Sequence, residues 1–338
     1  MNKKSDYIVA VAGATGAVGI EMLKVLEQRN FPIGALKLLA SSRSAGKTLT
    51  FRGESIVIEE LRHDSFQGVD IALFSAGASI SREFRQSVVD AGAVMVDNSS
   101  AFRMEEGVPL IVPEVNPGDV ASHRGVIANP NCSTIITLVA VAPLHRAFGL
   151  KRMVASTYQA ASGAGAKGMD ELLLQTRQVL DDQPIAPSTF AHRIAFNLIP
   201  HIDAFQDNDY TKEELKMLYE SRKMLHAPDL MVSCTCVRVP VVRAHSVALN
   251  LEFDKPATPA MAREVLAAAS GVKLVDDPDA KRYPMPVDAT NQDDVLVGRI
   301  RQDISRNDGR GLDLFISGDQ VLKGAALNTV QIAEMLVK

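Results

Sequence analysis

The residue of this 338-residue chain best placed for nucleophilic chemistry is Cys132. It follows Asn129-Pro130-Asn131 and opens an apolar stretch, residues 134–148, that reads as a long helix. A thiol in the first turn of a helix lies beside unpaired N–H groups and the positive end of the helix dipole, and both favour a thiolate. The other two cysteines, Cys234 and Cys236, sit at i and i+2 in a strand-like run and read as buried core thiols. The seven histidines form no cluster with metal-ligand spacing, so no metal is expected.

A second chemistry is written near the N-terminus. Residues 7–12 form a β-branched run that ends in Gly13-Ala14-Thr15-Gly16-Ala17-Val18-Gly19, and a helical pattern follows over 18–28. Glycines in such a turn let the backbone approach a pyrophosphate, and the free N–H groups of the helix start bind its charge. The spacing G-x-x-G-x-x-G is a relative of the dinucleotide fingerprint. Its strand–turn–helix setting makes Gly13, Thr15, Gly16, Ala17 and Val18 candidate cofactor contacts. A chain that prefers NAD commonly carries Asp or Glu after the next strand, to hold the ribose hydroxyl. Here that strand, 35–40, runs into Ser41-Ser42-Arg43-Ser44 with no acid. Ser41, Arg43 and Ser44 suit a 2′-phosphate, which points to NADP; a solvated basic loop is the plainer reading of the same residues.

These groups need two scaffolds. Continuous apolar strands at 7–12, 35–40, 70–75, 93–97 and 125–128, with helices at 18–28 and 81–91, predict a Rossmann-like parallel sheet covered on both faces. From the middle onward, 153–160, 231–241, 246–253, 295–304 and 312–317 read as longer strands with few helices between them, which predicts a mostly antiparallel sheet. The expected class is therefore α/β with an α+β second domain. Residues 1–130 with 320–338 would form the nucleotide-binding domain, and 131–319 the catalytic and dimerisation domain. A last helix, 324–337, is placed back against the first domain. The segment 183–228 is polar and irregular apart from one charged helix at 212–224, and fits a lid, a subunit contact or both.

Composition narrows the function classes. With 36 basic and 40 acidic residues the chain has no cationic surplus for a phosphate backbone, so nucleic acid is not the expected partner. No uninterrupted apolar window reaches the ~18 residues of a membrane helix, and the apolar run before Ala10 is too short for a signal peptide. Three cysteines build no disulfide framework. The expectation is a soluble cytoplasmic protein acting on a small molecule.

Several longer stretches together resemble the aspartate-β-semialdehyde dehydrogenases. They are the Gly13–Gly19 turn, residues 97–103 (DNSSAFR), 129–134 (NPNCST), 158–163 (YQAASG), 236–240 (CVRVP) leading to His245-Ser246, and Gly318-Asp319-Gln320 before Lys323-Gly324-Ala325-Ala326. The resemblance covers essentially the whole chain. It implies NADP-dependent interconversion of L-aspartate 4-semialdehyde with phosphate and L-4-aspartyl phosphate, in lysine, threonine and methionine biosynthesis, by a homodimer. It further implies roles: Cys132 as nucleophile, His245 as acid/base, and Gln159 as the residue that orients the substrate. Arg238 would hold the α-carboxylate and Glu213 the amino group, while Arg103, Asn98 and Lys216 would bind phosphate. Ser162, Gly163 and Gln320 would contact the cofactor.

Positions 238 and 245 are an odd number apart, so in one regular strand they would face opposite ways. Pro240 makes such a strand doubtful, and a bend or bulge that brings both into one pocket is expected. Arg243 lies near enough to compete with Arg238. N-acetyl-glutamyl-phosphate reductases resemble the same design, but the Asn-Cys-Ser-Thr setting and the 238–245 stretch favour the aspartyl enzyme. A non-catalytic paralogue would be expected to have lost some of Cys132, Gln159, Arg238 and His245, and all four are present.

Overall fold

The computed structural model describes residues 4–337, which fall into two compact units, one of residues 4–131 with 325–337 and the other of residues 132–324. The first unit contains β1 (Tyr7–Ala12), α1 (Ala17–Gln28), β2 (Ile33–Ala40), β3 (Thr48–Phe51), β4 (Glu54–Glu60), β5 (Ile71–Phe74), α2 (Ala78–Asp90), β6 (Val94–Asp97) and β7 (Val126–Ala128). Its sheet runs β3-β4-β2-β1-β5-β6-β7, and every pairing is parallel except β3 with β4. Strands β5, β6 and β7 are buried along their whole length, as a sheet covered on both faces requires. The chain steps from β1 to β2 on one side and to β5 on the other. Open parallel sheets take ligands at the carboxyl ends of strands around such a switch point.

The last helix, Leu327–Val337, packs within this unit against α1 and β6, where Arg29 and Glu334 pair at 2.6 Å. It starts later than expected, because residues 322–326 form a single π turn. The hairpin of β3 and β4 was not legible in the sequence. Its strands are short, polar and mostly exposed, so they carry little apolar alternation.

The second unit contains α3 (Cys132–Phe148), β8 (Leu150–Gln159), α4 (Gly165–Leu180), α5 (Lys212–Met224), β9 (Met231–Arg238), β10 (His245–Phe253), α6 (Pro259–Ala267), β11 (Val272–Leu274), α7 (Pro286–Ala289), β12 (Val295–Gln302) and β13 (Gly311–Gly318). Its sheet runs β11-β12-β13-β10-β8-β9. The three central junctions are antiparallel, while β11 with β12 and β8 with β9 are parallel, so the sheet is mixed. Helix α3 is buried on every side from Ser133 to Leu144 and packs on β8, β10, β12 and β13. An apolar helix of this kind belongs at the centre of a core.

The sequence reading left out α4, which contains two glycines, buries Glu171 and Gln175 and leaves Leu173, Leu174 and Leu180 exposed, so apolar spacing does not trace its packed face. That helix organises the irregular segment after it. Buried Glu171 accepts N–H and hydroxyl bonds from Ser188 and Thr189, and Gln175 accepts the Ile194 N–H at 2.8 Å. Helix α5 has the expected bounds, because Thr211 and Glu214 form a capping box at its start. Among the described residues, no helix is long and apolar enough to cross a membrane.

Candidate active site

In the first unit, β1 ends in a cradle that tolerates no side chain. Gly13 has φ +83°, and a Cβ there would lie 2.3 Å from the Ser75 carbonyl oxygen. A Cβ at Gly19 would meet the Gly13 carbonyl oxygen at 2.3 Å. The glycines therefore let α1 start tightly against β1, with Gly16 directly before its first turn. A cavity of about 440 Å³ opens here, lined by Gly13, Thr15, Gly16, Ser41, Ser75 and Glu83 among others. Ser41 and Ser44 close a turn after β2 (Ser44 N–H to Ser41 O, 2.9 Å), and Arg43 stands exposed at its tip. Ala17 and Val18 form the start of α1.

Arg103 is buried in the same unit, where its Nε donates to Asn129 O and its Nη2 to Asn98 O, both at 3.0 Å. The Asn98 side chain is itself fixed, donating to Phe74 O at 3.2 Å and accepting from Thr329 at 2.9 Å. Beside them, burial raises the Asp97 carboxyl, against the pull of Ser81, Ser99 and Arg103.

The remaining candidates come together in the second unit. Cys132 is the first residue of α3 and is half-buried. A Cβ on Gly324 would stand 3.0 Å from the Cys132 Cβ, so any side chain there would crowd the thiol. Ala160, just past β8, organises the charged groups with its backbone. Its N–H donates to His245 Nδ1 at 3.0 Å, and its C=O accepts from Arg238 Nη1 at 2.7 Å.

Where a bend or bulge was expected between Arg238 and His245, the chain crosses from one strand to another. Arg238 ends β9 on one side of β8, and His245 starts β10 on the other. The six residues between them cross over the end of β8, with Ala244 at φ +71° turning the chain into β10. Gln320 secures this crossover: its Oε1 accepts the Ala244 N–H at 2.9 Å, and its Nε2 donates to Ser162 Oγ. Arg243 pairs with buried Asp319 at 2.7 Å, whereas Arg238 bonds to the Ala160 carbonyl.

His245 is fully buried, and its Nε2 has no hydrogen-bond partner. A backbone N–H can only donate, so Nδ1 is the acceptor and the proton of the neutral ring sits on Nε2. Burial and then the Arg238 charge hold the imidazole well below its ordinary pKa. For Arg238, burial lowers the pKa while Glu213, Cys132 and Cys236 work the other way, which places these groups within its field. The Phe190 ring lies 5.8 Å from its guanidinium carbon.

Gln159 is held from both sides. Its Oε1 accepts from Thr157 Oγ1 at 2.9 Å, and its Nε2 donates to Glu213 Oε1 at 3.2 Å. Glu213 Oε2 in turn accepts from Lys216, one turn later on α5, at 2.9 Å. Thr157, Ala160, Asp203 and Gly324 carry no chemical signature in the sequence; only their tertiary placement singles them out. Cys234 and Cys236 share a face of β9 with their sulfurs 3.7 Å apart, and that contact together with burial pushes the Cys234 thiol up. Among the described residues, no group of three or more His, Cys, Asp or Glu side chains is placed to hold a metal.

Two family models match this chain: "Semialdehyde dehydrogenase, NAD binding domain" over residues 8–123 and "Semialdehyde dehydrogenase, dimerisation domain" over residues 141–323. An aspartate-semialdehyde dehydrogenase of Synechocystis sp. is 54% identical over 334 residues, covering 99% of this chain and 98% of that protein. The crystal structure of aspartate semialdehyde dehydrogenase II from Vibrio cholerae complexed with ASA superposes with a TM-score of 0.96 at 46% identity, covering 99% of each chain. The Candida albicans enzyme with NADP superposes with a TM-score of 0.77 at 26% identity, covering 98% of each chain.

Proposed function

Because the chain belongs to the semialdehyde dehydrogenase family, with aspartate-semialdehyde dehydrogenases as relatives over nearly its whole length, we propose that it is an NADP-dependent member working through a thioester on Cys132. The reaction converts L-aspartate 4-semialdehyde, phosphate and NADP to L-4-aspartyl phosphate and NADPH, and serves the synthesis of lysine, threonine and methionine. The observation that carries this reading is the second unit's constellation. A thiol at a helix start shares a field with a buried arginine, near a neutral histidine whose Nε2–H is unpartnered.

The cradle at Gly13–Gly19 fits a dinucleotide, because Gly13 and Gly19 leave no room for a Cβ and the helix start offers N–H groups to a pyrophosphate. Ser41, Arg43 and Ser44 would meet the 2′-phosphate. When bound, the nicotinamide supplies an acceptor for hydride. The Cys132 sulfur adds to the aldehyde carbon, and the helix start together with Arg238 favours its anionic form. His245 donates from Nε2 to the oxygen that gains charge. With its Nδ1 lone pair already occupied, the ring holds that proton in place instead of collecting a second one.

Once the aldehyde hydrogen has left, the acyl group remains on sulfur. A phosphate oxygen then bonds to the same carbon and the C–S bond breaks, returning the thiolate. The guanidinium of Arg238 matches the α-carboxylate as a bidentate donor. Glu213 takes the ammonium and Gln159 orients the substrate, while the phosphate-binding candidates are Arg103 and Asn98 in the first unit and Lys216 in the second. The description "dimerisation domain" for residues 141–323 supports a homodimer.

The test is the appearance of NADPH with each of two aldehydes, with phosphate present and absent. The expected outcome is phosphate-dependent turnover of L-aspartate 4-semialdehyde. Preference for N-acetyl-L-glutamate 5-semialdehyde, or turnover indifferent to phosphate, would overturn the reading.

A further inference from the structure

Lys216 does not wait with an open charge. Its Nζ donates to Glu213 Oε2 at 2.9 Å and to Asp203 Oδ2 at 2.8 Å, so two of its three N–H bonds already end on carboxylates. Glu213 is a fixed partner: it lies one turn away on α5, it is buried, and Gln159 grips its other oxygen. Asp203 is different. It comes from the irregular segment before α5, its side chain is 37% exposed, and its backbone is in the left-handed region at φ +70°. Its Oδ1 accepts the N–H of Ala204 at 2.8 Å, which aims the other oxygen at the ammonium.

We propose that Asp203 competes with phosphate for Lys216, and so sets how tightly the enzyme holds its phosphate. The inference rests on the assignment of Lys216 to phosphate made above. One ammonium between two carboxylates carries a local charge of minus one, and an incoming phosphate dianion would be repelled unless a carboxylate withdraws. Glu213 cannot withdraw without releasing Gln159, whereas Asp203 can turn to water. Lys216 remains cationic throughout: burial opposes its charge, but Glu213 and Asp203 more than compensate and raise its pKa. An ion pair this exposed shifts an equilibrium by only ~1.4- to 5-fold, which makes it a modulator and not a block.

Asp203→Asn removes the charge but keeps the oxygen that accepts from Ala204, and Asn tolerates the left-handed backbone. Steady-state kinetics with phosphate and aldehyde varied separately should be run on the wild type, Asp203→Asn, Lys216→Met and the double variant. We expect Asp203→Asn to lower the phosphate KM by about 2- to 5-fold and to move the aldehyde KM by less than about twofold. Lys216→Met should raise the phosphate KM by about 10-fold or more, and the double variant should match it, since a competitor without its cation has no effect. If Lys216→Met raises the phosphate KM while Asp203→Asn leaves it unchanged or raises it, Asp203 supports Lys216 and the proposal fails. If Lys216→Met leaves the phosphate KM unchanged, the assignment of Lys216 fails first and takes the proposal with it.

Discussion

Gly163 lies so close to the two anchoring side chains that a single methyl group tests whether their placement matters. A Cβ built on Gly163 would stand 2.6 Å from Arg238 Nη1 and 3.2 Å from both Cε1 and Nε2 of His245. Ordinary contact begins near 3.4 Å, so the guanidinium must move by roughly 0.8 Å and the imidazole by a few tenths. Neither can yield freely. Arg238 Nη1 is tied to Ala160 O at 2.7 Å beneath the Phe190 ring, and His245 is fully buried with Nδ1 tied to Ala160 N–H. Misplacing a substrate-holding group by about 1 Å can cost on the order of 100-fold in rate. Gly163→Ala should therefore lower kcat/KM for the aldehyde by about 10- to 100-fold. The fold should survive, because the backbone at Gly163 is not in the left-handed region and an alanine can adopt it. The assay is steady-state kinetics with the aldehyde varied, beside a thermal melt of the same protein. A folded Gly163→Ala variant with kcat/KM within about twofold of wild type would refute the placement of Arg238 and His245 around one substrate.

Arg43→Ala should weaken NADP by roughly 10- to 150-fold, the loss of one charge-assisted contact, and leave NAD almost unchanged; titrating both dinucleotides checks this, and equal weakening would reject the assignment. Thr157→Val removes the bond that fixes the sense of the Gln159 amide, and should lower kcat/KM for the aldehyde by about 2- to 10-fold without changing the KM for NADP. His245 has a folded pKa well below that of the unfolded chain, so the unfolded state binds the extra proton as pH falls below ~6.5. Urea unfolding over that acid window should show wild-type stability falling by up to about 1.4 kcal/mol per pH unit more steeply than that of His245→Gln; equal slopes would contradict a neutral buried imidazole.

The parts of the site legible in the sequence are those whose geometry is set within a few residues. The Gly13–Gly19 turn announces itself because a strand, a tight turn and a helix follow one another in sequence. Cys132 was legible for the same reason, because a long, largely apolar helical run follows it directly in sequence. Helix α5 was placed to the residue because its capping box is local. The pairing of Arg238 with His245 was expected but its means was not, since the crossover over β8 depends on the order of strands in the sheet. Ala160 escaped notice because it acts through backbone atoms, which every residue possesses. Asp203 lies in a segment without periodicity, and only the packing of that segment on α4 and α5 brings it to Lys216.

The central claim is the acyl group on Cys132, and the most direct measurement is the mass of the protein after mixing with L-aspartate 4-semialdehyde and NADP in phosphate-free buffer. The expected result is one aspartyl adduct per chain, located on the peptide that contains Cys132, formed together with one equivalent of NADPH and discharged when phosphate is added. An unmodified Cys132 under conditions in which NADPH still forms, or an adduct on another residue, would contradict it.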